Sequence, residues 1–263
     1  NKRKIFFKKK ILIYGLGKSG FSCYYFLRKN NIISLYDDKK NLFKNKKIKK
    51  KIIRKKNIKK NQFDFIIVSP GINIDKCSLK NFLKRNSSKI ITDLDVFYNH
   101  YYNNKNIVIT GTNGKSTTAK LLFDILKCHK KDTRLVGNIG NPILAEKKIT
   151  PKTIFVVEAS SYQIAYSKIF NANYALILNI TPDHLERHGT LVNYVKSKFK
   201  LFKKQTKKDY SIYNNKNKYL KNEFKKNKVK SQIIKVNSKI INNYKEQIKN
   251  PYFFTDGNRE NLS

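Results

Sequence analysis

Twice along the chain a short β-forming apolar run empties into a glycine-rich turn and then into helical sequence, which constrains the fold more than any other feature. The first instance is Ile11-Leu-Ile-Tyr14, followed by Gly15-Leu-Gly-Lys-Ser-Gly20 and a stretch with Phe21, Tyr25, Phe26 and Leu27 on a roughly 3.6-residue repeat. The second is Ile107-Val-Ile-Thr110, the loop Gly111 to Ser116, and a helix expected over Thr117 to His129 with Leu121, Leu122, Ile125 and Leu126 on its apolar face. Strand, turn and helix in that order build parallel sheets covered by helices. The expected fold class is therefore α/β, with a Rossmann-like domain over residues 1–100 and a P-loop, doubly wound domain over residues 101–263.

Further elements fit this frame. In the first domain strands are expected at Ile32 to Tyr36, ending in Asp37 and Asp38, and at Phe65 to Val68, stopping at Ser69-Pro70-Gly71. A short apolar run, Ile90-Ile91, precedes Asp93 to Phe97, and the polar stretch Asn99 to Asn106 reads as a linker with the boundary near residue 101. In the second domain strands are expected at Ile154 to Val157, Ala175 to Asn179 and Tyr210 to Tyr213, with a helix over Val192 to Phe202. There is no internal repeat.

Composition excludes several classes. Hydrophobic residues make up 40% of the 263, enough for two cores and too many for a disordered basic tail. No apolar run approaches the roughly 18 residues that cross a bilayer, and the short apolar stretch Ile11 to Tyr14, leading into glycines, gives no expectation of a secretory signal. Cys23, Cys77 and Cys128 are odd in number and widely spaced, which argues against a disulfide framework and for a reduced, cytoplasmic protein. The formal charge of +41 invites a polyanion partner, yet only seven of the 58 basic residues are Arg, the side chain suited to bidentate phosphate and base contacts. The Lys, Asn, Ile, Tyr and Phe excess is what AT-rich codons produce. Lys46 to Lys60 and Lys216 to Lys230 accordingly read as solvated faces, and neither a nucleic-acid nor a membrane partner is expected. The chain opens on Asn1 and contains no Met, which suggests a fragment or a processed chain.

Several residues could carry chemistry. Gly15-x-Gly17-x-x-Gly20 allows a backbone to approach a diphosphate at a helix N-terminus, and Asp37, 22 residues after Gly15, stands where an acid meets a ribose hydroxyl in dinucleotide binders. The spacing does not separate NAD from another nucleotide diphosphate, nor either from glycines that only make a tight turn. Thr110-Gly-Thr-Asn-Gly-Lys-Ser-Thr117 is a stronger phosphate loop: backbone amides cradle phosphates, Lys115 reaches the β and γ oxygens, and Ser116 faces Mg²⁺. It departs from the common pattern, with Ile109 where the first glycine usually stands. Glu158 ends an apolar strand, where it could complete a Mg²⁺ shell or lie on the surface. His184, in Asn179-Ile-Thr-Pro-Asp-His184, sits at the same expected sheet edge, although a lone His is more often structural. Lys198, between Lys196 and Lys200, reads from spacing alone as solvated.

Taken together, these segments resemble the Mur ligase family. The matching stretches are Gly15 to Gly20, Ser69-Pro-Gly-Ile72, Thr110 to Thr117, Gly137-Asn-Ile-Gly140, Glu158-Ala-Ser-Ser-Tyr-Gln163 and Asn179 to His188, in the family's order. Ser160 to Gln163 is similar to the branch that adds D-glutamate. The resemblance implies an ATP-dependent ligase that joins D-glutamate to UDP-N-acetylmuramoyl-L-alanine through an acyl phosphate, in cytoplasmic peptidoglycan synthesis and hence in cell shape and division. It implies ATP contacts from Gly111, Thr112, Asn113, Gly114, Lys115, Ser116, Thr117 and Asn258, and catalytic roles for Lys115, His184 and Lys198. One Mg²⁺ would sit on Ser116 and Glu158 and a second on His184 and Lys198, the lysine carrying a CO₂-derived carbamate. Gly15, Lys18, Ser19, Asp38, Lys39 and Gly71 would face the UDP portion, with Asn138 and Ser160 on the rest of the substrate.

The family's third domain would lie beyond Ser263, so the central domain is expected to be cut short and the chain inactive alone; a monomer is expected. A folylpolyglutamate-type or other Mur ligase, a non-catalytic nucleotide-binding module and a basic nucleic-acid-binding ATPase are the alternatives. Acceptor choice, turnover and salt dependence respectively separate them.

Overall fold

The computed structural model describes residues 5–39, 46–60, 62–183 and 185–236. The chain divides into two compact units: Asn1–Tyr102 with Pro142–Lys147 and Tyr166–Phe170, and Asn103–Asn141 with Lys148–Ala165 and Asn171–Ser263.

The first unit contains β1 (Lys10–Tyr14), α1 (Lys18–Leu27), β2 (Ile32–Tyr36), α2 (Lys46–Lys49), α3 (Lys55–Lys60), β3 (Phe65–Val68), α4 (Lys80–Arg85), β4 (Ile90–Ile91) and α5 (Asp93–His100). Its sheet has the order β2-β1-β3-β4 and every pair is parallel. Ile11, Leu12, Ile13 and Tyr14 are all fully buried, as a central parallel strand covered on both faces must be. Tyr14 is in register with Tyr36 and with Val68, so the three strands end level and their following turns share one edge. Helix α1 crosses that edge closely. A Cβ on Gly20 would stand 1.9 Å from the Gly15 carbonyl oxygen, so only glycine lets the helix sit there.

The second unit contains β5 (Asn106–Thr110), α6 (Lys115–Cys128), β6 (Thr133–Gly137), β7 (Ile154–Glu158), α7 (Ser161–Tyr166), β8 (Tyr174–Ile177), α8 (Leu185–His188), α9 (Leu191–Lys203), β9 (Tyr210–Asn214), α10 (Lys218–Lys226) and β10 (Gln232–Val236). All strands run parallel in the order β10-β9-β8-β5-β7-β6. Strand β5 is flanked by β7 on one side and β8 on the other, so chain order reverses around it, and the crevice beyond its carboxyl end is where such sheets receive ligands. Ile109, Val156 and Ala119, all fully buried, form the core between this sheet and α6.

The α/β class is as the sequence suggests, but some boundaries are not. The stretch expected to be a linker is ordered: Asn99 and His100 close α5, and Asn106 opens β5. Asn104, 7% exposed, donates through Nδ2 to the carbonyls of Thr150 and Thr153, so its polarity serves a buried turn and not a solvated tether. The Lys-rich run from Lys216 contains α10, whose Leu220 is fully buried and whose Phe224 packs against Phe199, Phe202 and Tyr213. One apolar face among many lysines suffices to dock a helix. Strands β6 and β10 have no counterpart in the sequence reading, because each lies at an edge of the sheet and carries charged or exposed residues. Strand β8 ends at Ile177, two residues short of the expected Asn179.

Candidate functional site

In the second unit the site grows from the end of β5. Thr110 is fully buried, and after it the chain bends through Gly111 to Gly114, the latter with φ of +78° in the left-handed region that glycine tolerates. Helix α6 then begins at Lys115, so the amides of Lys115, Ser116 and Thr117 have no acceptor one turn earlier and face the loop at the positive end of a 14-residue helix. That is an anion-binding geometry. Lys115 Nζ folds over the loop, donating to Gly111 O at 3.0 Å and Thr112 O at 2.7 Å, which holds its charge at the mouth.

Beside the mouth, Ser116 Oγ donates to Glu158 Oε2 at 2.8 Å. Glu158 arrives on the last residue of β7, in register with Ile109, and is 4% exposed. A hydroxyl and a carboxylate offered together are hard oxygen donors of the kind Mg²⁺ prefers. Among the described residues no group of three or more His, Cys, Asp or Glu side chains converges on a point. A Mg²⁺ that takes one carboxylate and one hydroxyl from protein and the rest from phosphate and water fits this donor set.

Lys198 is not the solvated residue that its Lys-rich neighbourhood suggests. It is 2% exposed, on the face of α9 that also carries the buried Tyr194, Val195, Phe199, Leu201 and Phe202. Its Nζ donates to Gly111 O at 2.8 Å and Thr110 Oγ1 at 3.2 Å and lies 4.7 Å from the Tyr194 ring centre. Burial, reinforced by the Lys115 charge and only partly offset by Asp183, pulls its pKa down to about 7. Burial of this kind favours the neutral amine over the ammonium. The signal was present in the sequence, since Lys198 occupies a slot in the apolar stripe Tyr194, Val195, Phe199, Phe202.

Of the remaining expected residues in this unit, Thr112 is buried in the loop, Asn113 is exposed, and Thr117 is half-buried in the first turn of α6. Asn138 is exposed just after β6, and its amide donates to Glu158 O at 3.1 Å. Ser160 caps α7 reciprocally with Gln163: Ser160 Oγ accepts from Gln163 N at 3.2 Å, and Gln163 Oε1 accepts from Ser160 N at 3.1 Å and Ser160 Oγ at 3.0 Å. His184 and Asn258 lie outside the described residues. The structure adds side chains to which the sequence reading assigned no role. Asn179 ties down the loop amides of Thr112 and Asn113, Tyr194 Oη meets Thr112 Oγ1 at 3.2 Å, and Ser161 Oγ lies 2.9 Å from His188 Nε2.

In the first unit, the turns after β1, β2 and β3 bring together Gly15, Asp37, Asp38 and Ser69. Ser69 Oγ donates to Gly15 O at 2.6 Å. Asp37, read from its spacing as a ribose acceptor, lines the cavity beside Asp38 and also braces the turn: its oxygens accept from Leu16 N at 2.6 Å and Lys39 N at 2.9 Å. Asp38 accepts from the buried Tyr14 hydroxyl at 2.5 Å and from Ser78 Oγ. Burial would raise its pKa, but the hydrogen bonds from Ser78 and Tyr14 outweigh that and hold the carboxyl below its ordinary value. Asp38 and Lys39 line a cavity of about 580 Å³ with Tyr36 and Ile52 to Lys56. Lys18 and Gly71 are exposed and Ser19 is half-buried, at the start of α1 and after β3.

No helix among the described residues is long and apolar enough to cross a membrane. The sequence matches the Mur ligase middle domain over residues 109–259 and the Mur ligase MurD-like N-terminal domain over residues 9–91. It is 36% identical over 220 residues to the UDP-N-acetylmuramoylalanine--D-glutamate ligase of Rickettsia conorii, covering 82% of this chain and 43% of that protein. It is 36% identical over 220 residues to the enzyme of the same name from Caldicellulosiruptor saccharolyticus, covering 79% of this chain and 48% of that protein. The chain thus spans about half the length of the curated relatives it matches. Among solved structures, the UDP-N-acetylmuramate:L-alanyl-gamma-D-glutamyl-meso-diaminopimelate ligase from Neisseria meningitides superposes with a TM-score of 0.54 at 14% identity, over 86% of this chain and 78% of that one, a likeness of fold.

Proposed function

This chain belongs to the Mur ligase family, and we propose that the full-length protein is an ADP-forming ligase that adds D-glutamate to UDP-N-acetylmuramoyl-L-alanine in the cytoplasm, acting as a monomer. The carrying observation is the Ser116–Glu158 pair at the mouth of a phosphate loop, with a buried Lys198 amine against the same loop. The acceptor is supported by relatives of that name at about 36% identity.

The chemical difficulty is bringing a carboxylate to a triphosphate. The Lys115 ammonium lies over the loop, where trading its bonds to Gly111 and Thr112 for phosphate oxygens would neutralise charge as the alanyl carboxylate attacks the γ-phosphorus. ADP leaves, the D-glutamate amine attacks the acyl phosphate, and phosphate departs. The loop Gly111 to Gly114 shapes the site and the amides of Lys115 to Thr117 receive the triphosphate, and Asn258 is assigned to the adenine by the family resemblance alone. Ser116 and Glu158 would hold one Mg²⁺, and His184 with a carbamylated Lys198 would hold a second; the chemistry such ions would supply is screening of the phosphate charge from the incoming anion. A neutral lysine amine can attack CO₂ and lose a proton to give that carbamate, for which a pKa of about 7 prepares it. Asn138 and Ser160 face the acyl end of the substrate. Gly15, Lys18, Ser19, Asp38, Lys39 and Gly71 bind its UDP end, where the lowered pKa of Asp38 keeps an acceptor charged.

Lys115→Ala in the full-length protein tests this reading. Phosphate release should fall at least about a hundredfold, the scale of losing one transition-state charge partner, while UDP-N-acetylmuramoyl-L-alanine still binds. Parallel loss of both would contradict the assignment of the two ligands to separate sites.

A further inference from the structure

Beyond the ends of β5 and β8 the hydrogen-bond ladder continues one step into the phosphate loop: Leu178 N donates to Thr110 O and Thr112 N to Asn179 O, both at 3.0 Å. There a side chain takes over from the backbone. Asn179 Oδ1 accepts from Thr112 N at 3.1 Å and from Asn113 N at 2.9 Å, and its Nδ2 donates to Asn113 O at 3.2 Å. Thr112 Oγ1 completes the brace, accepting from Thr181 N at 3.1 Å. Gly111 permits the close approach, since a Cβ there would meet Leu178 Cβ at 3.1 Å and Asn179 N at 3.4 Å.

The consequence concerns which amides an anion can use. The Thr112 amide is shared between the backbone carbonyl and the carboxamide oxygen of Asn179, and the Asn113 amide is taken by that carboxamide alone, whereas those of Lys115, Ser116 and Thr117 open a helix and have no intrahelical acceptor. A carboxamide suits the task because it combines an oxygen with two lone pairs and an N–H donor without net charge. Aspartate would keep the acceptor, lose the donor and add a negative charge beside the phosphates.

We propose that Asn179 is a positioning residue for triphosphate binding: by clamping Thr112 and Asn113 it sets the bend of the loop, so that phosphate is received by the amides of Lys115 to Thr117 and by the Lys115 ammonium. This rests on reading the loop as an ATP site. It differs from a general contribution to folding because it acts on one ligand and not on the other.

The test uses the full-length protein, with calorimetric titration of MgATP and of UDP-N-acetylmuramoyl-L-alanine, a thermal melt and steady-state kinetics. Asn179→Ala is expected to raise the Kd for MgATP about tenfold, the loss of two or so hydrogen bonds, and to leave the Kd for the UDP ligand within about twofold. KM for ATP should rise more than kcat falls. Asn179→Asp keeps both acceptor bonds and loses only the donor bond to Asn113 O, so it should stay folded with a melting point lowered by no more than a few degrees, bind MgATP more weakly and keep the Kd for the UDP ligand; it serves if the alanine variant does not fold. Wild-type MgATP affinity in either soluble variant overturns the proposal, as does an equal loss of both ligands accompanied by a lowered melting point. Wild-type protein that binds no MgATP overturns the ATP reading itself, and that control is read before any variant.

Discussion

Ser116 Oγ donates to Glu158 Oε2 at 2.8 Å, joining the first turn of α6 to the carboxyl end of β7 across 42 residues of sequence. Neither residue is remarkable alone: a serine after a lysine and an acid ending a strand. Parallel pairing of β5 with β7 sets Glu158 beside Ile109, and the glycine bend returns Ser116 to the same edge. The pair is the most economical structural reason to expect a metal-assisted phosphate chemistry here.

If that pair holds Mg²⁺, its removal should show in the metal requirement before it shows in substrate affinity. Ser116→Ala is expected to raise the Mg²⁺ concentration for half-maximal phosphate release about tenfold, and Glu158→Gln to raise it further, because the carboxylate carries the charge. Titration of activity against Mg²⁺ at saturating substrates decides it. Unchanged Mg²⁺ dependence in both variants would remove the pair from the metal site.

Lys198 gives a prediction with a definite sign. Its native pKa of about 7 lies below the roughly 10.4 of an unfolded lysine, so between those values the native state binds fewer protons than the unfolded state. Stability contributed by this group therefore rises with pH across that window and is lost as pH falls toward 7. In metal-free, CO₂-free buffer, urea unfolding at pH 7.5 and 9.5 should show a wild-type gain exceeding that of Lys198→Met by on the order of 2 kcal/mol. Equal gains would mean the amine is not desolvated. For activity, Lys198→Ala should be impaired and partly restored by an added short carboxylic acid, which replaces the carbamate oxygen.

The hydroxyl of Tyr14 is buried and aimed at Asp38. Tyr14→Phe removes a hydrogen bond to a charged group and is expected to weaken binding of the UDP substrate about three- to tenfold while MgATP affinity stays as it is. The variant should also shift acid unfolding. A carboxyl held below its ordinary pKa stabilises the fold above the unfolded value and loses that contribution as pH falls through the native one, so Tyr14→Phe should flatten the acid limb. A change in MgATP affinity instead would place Asp38 in a different role.

Gly20→Ala asks for a Cβ where the Gly15 carbonyl oxygen stands 1.9 Å away. Backbone must move to admit it. Destabilisation of at least about 2–3 kcal/mol is expected, together with loss of UDP-substrate binding, read by denaturant unfolding and calorimetry. Wild-type stability in this variant would show that α1 does not approach the turn this closely.

What could be read before the structure was what repeats locally. Strands β2 and β3 match their apolar runs residue for residue, and both glycine loops lie where a strand empties into a helix. Spacing alone makes Lys198 solvated and only the family resemblance gives it a role at the site, because composition around a residue says less than its place on the helical stripe: Tyr194, Val195, Phe199 and Phe202 put it inside. The spacing of Asp37 suggests a ribose contact but not its second use, closing the glycine turn through a 2.6 Å contact that no spacing rule contains. The role of Asn179 is not legible in its motif, since its partners Thr112 and Asn113 are 66 or more residues away in sequence. Ser160 and Gln163 show the reverse: a pair read for its chemistry also has a local structural use, as a reciprocal helix cap.

The most direct test of the account is phosphate release by the full-length protein with MgATP and UDP-N-acetylmuramoyl-L-alanine, as D-glutamate, L-glutamate and other amino acids are added in turn. Release that requires D-glutamate, with a product heavier by one glutamate residue, is the predicted result. Nucleotide binding without release under any acceptor would contradict it and leave a binding module in the ligase's place.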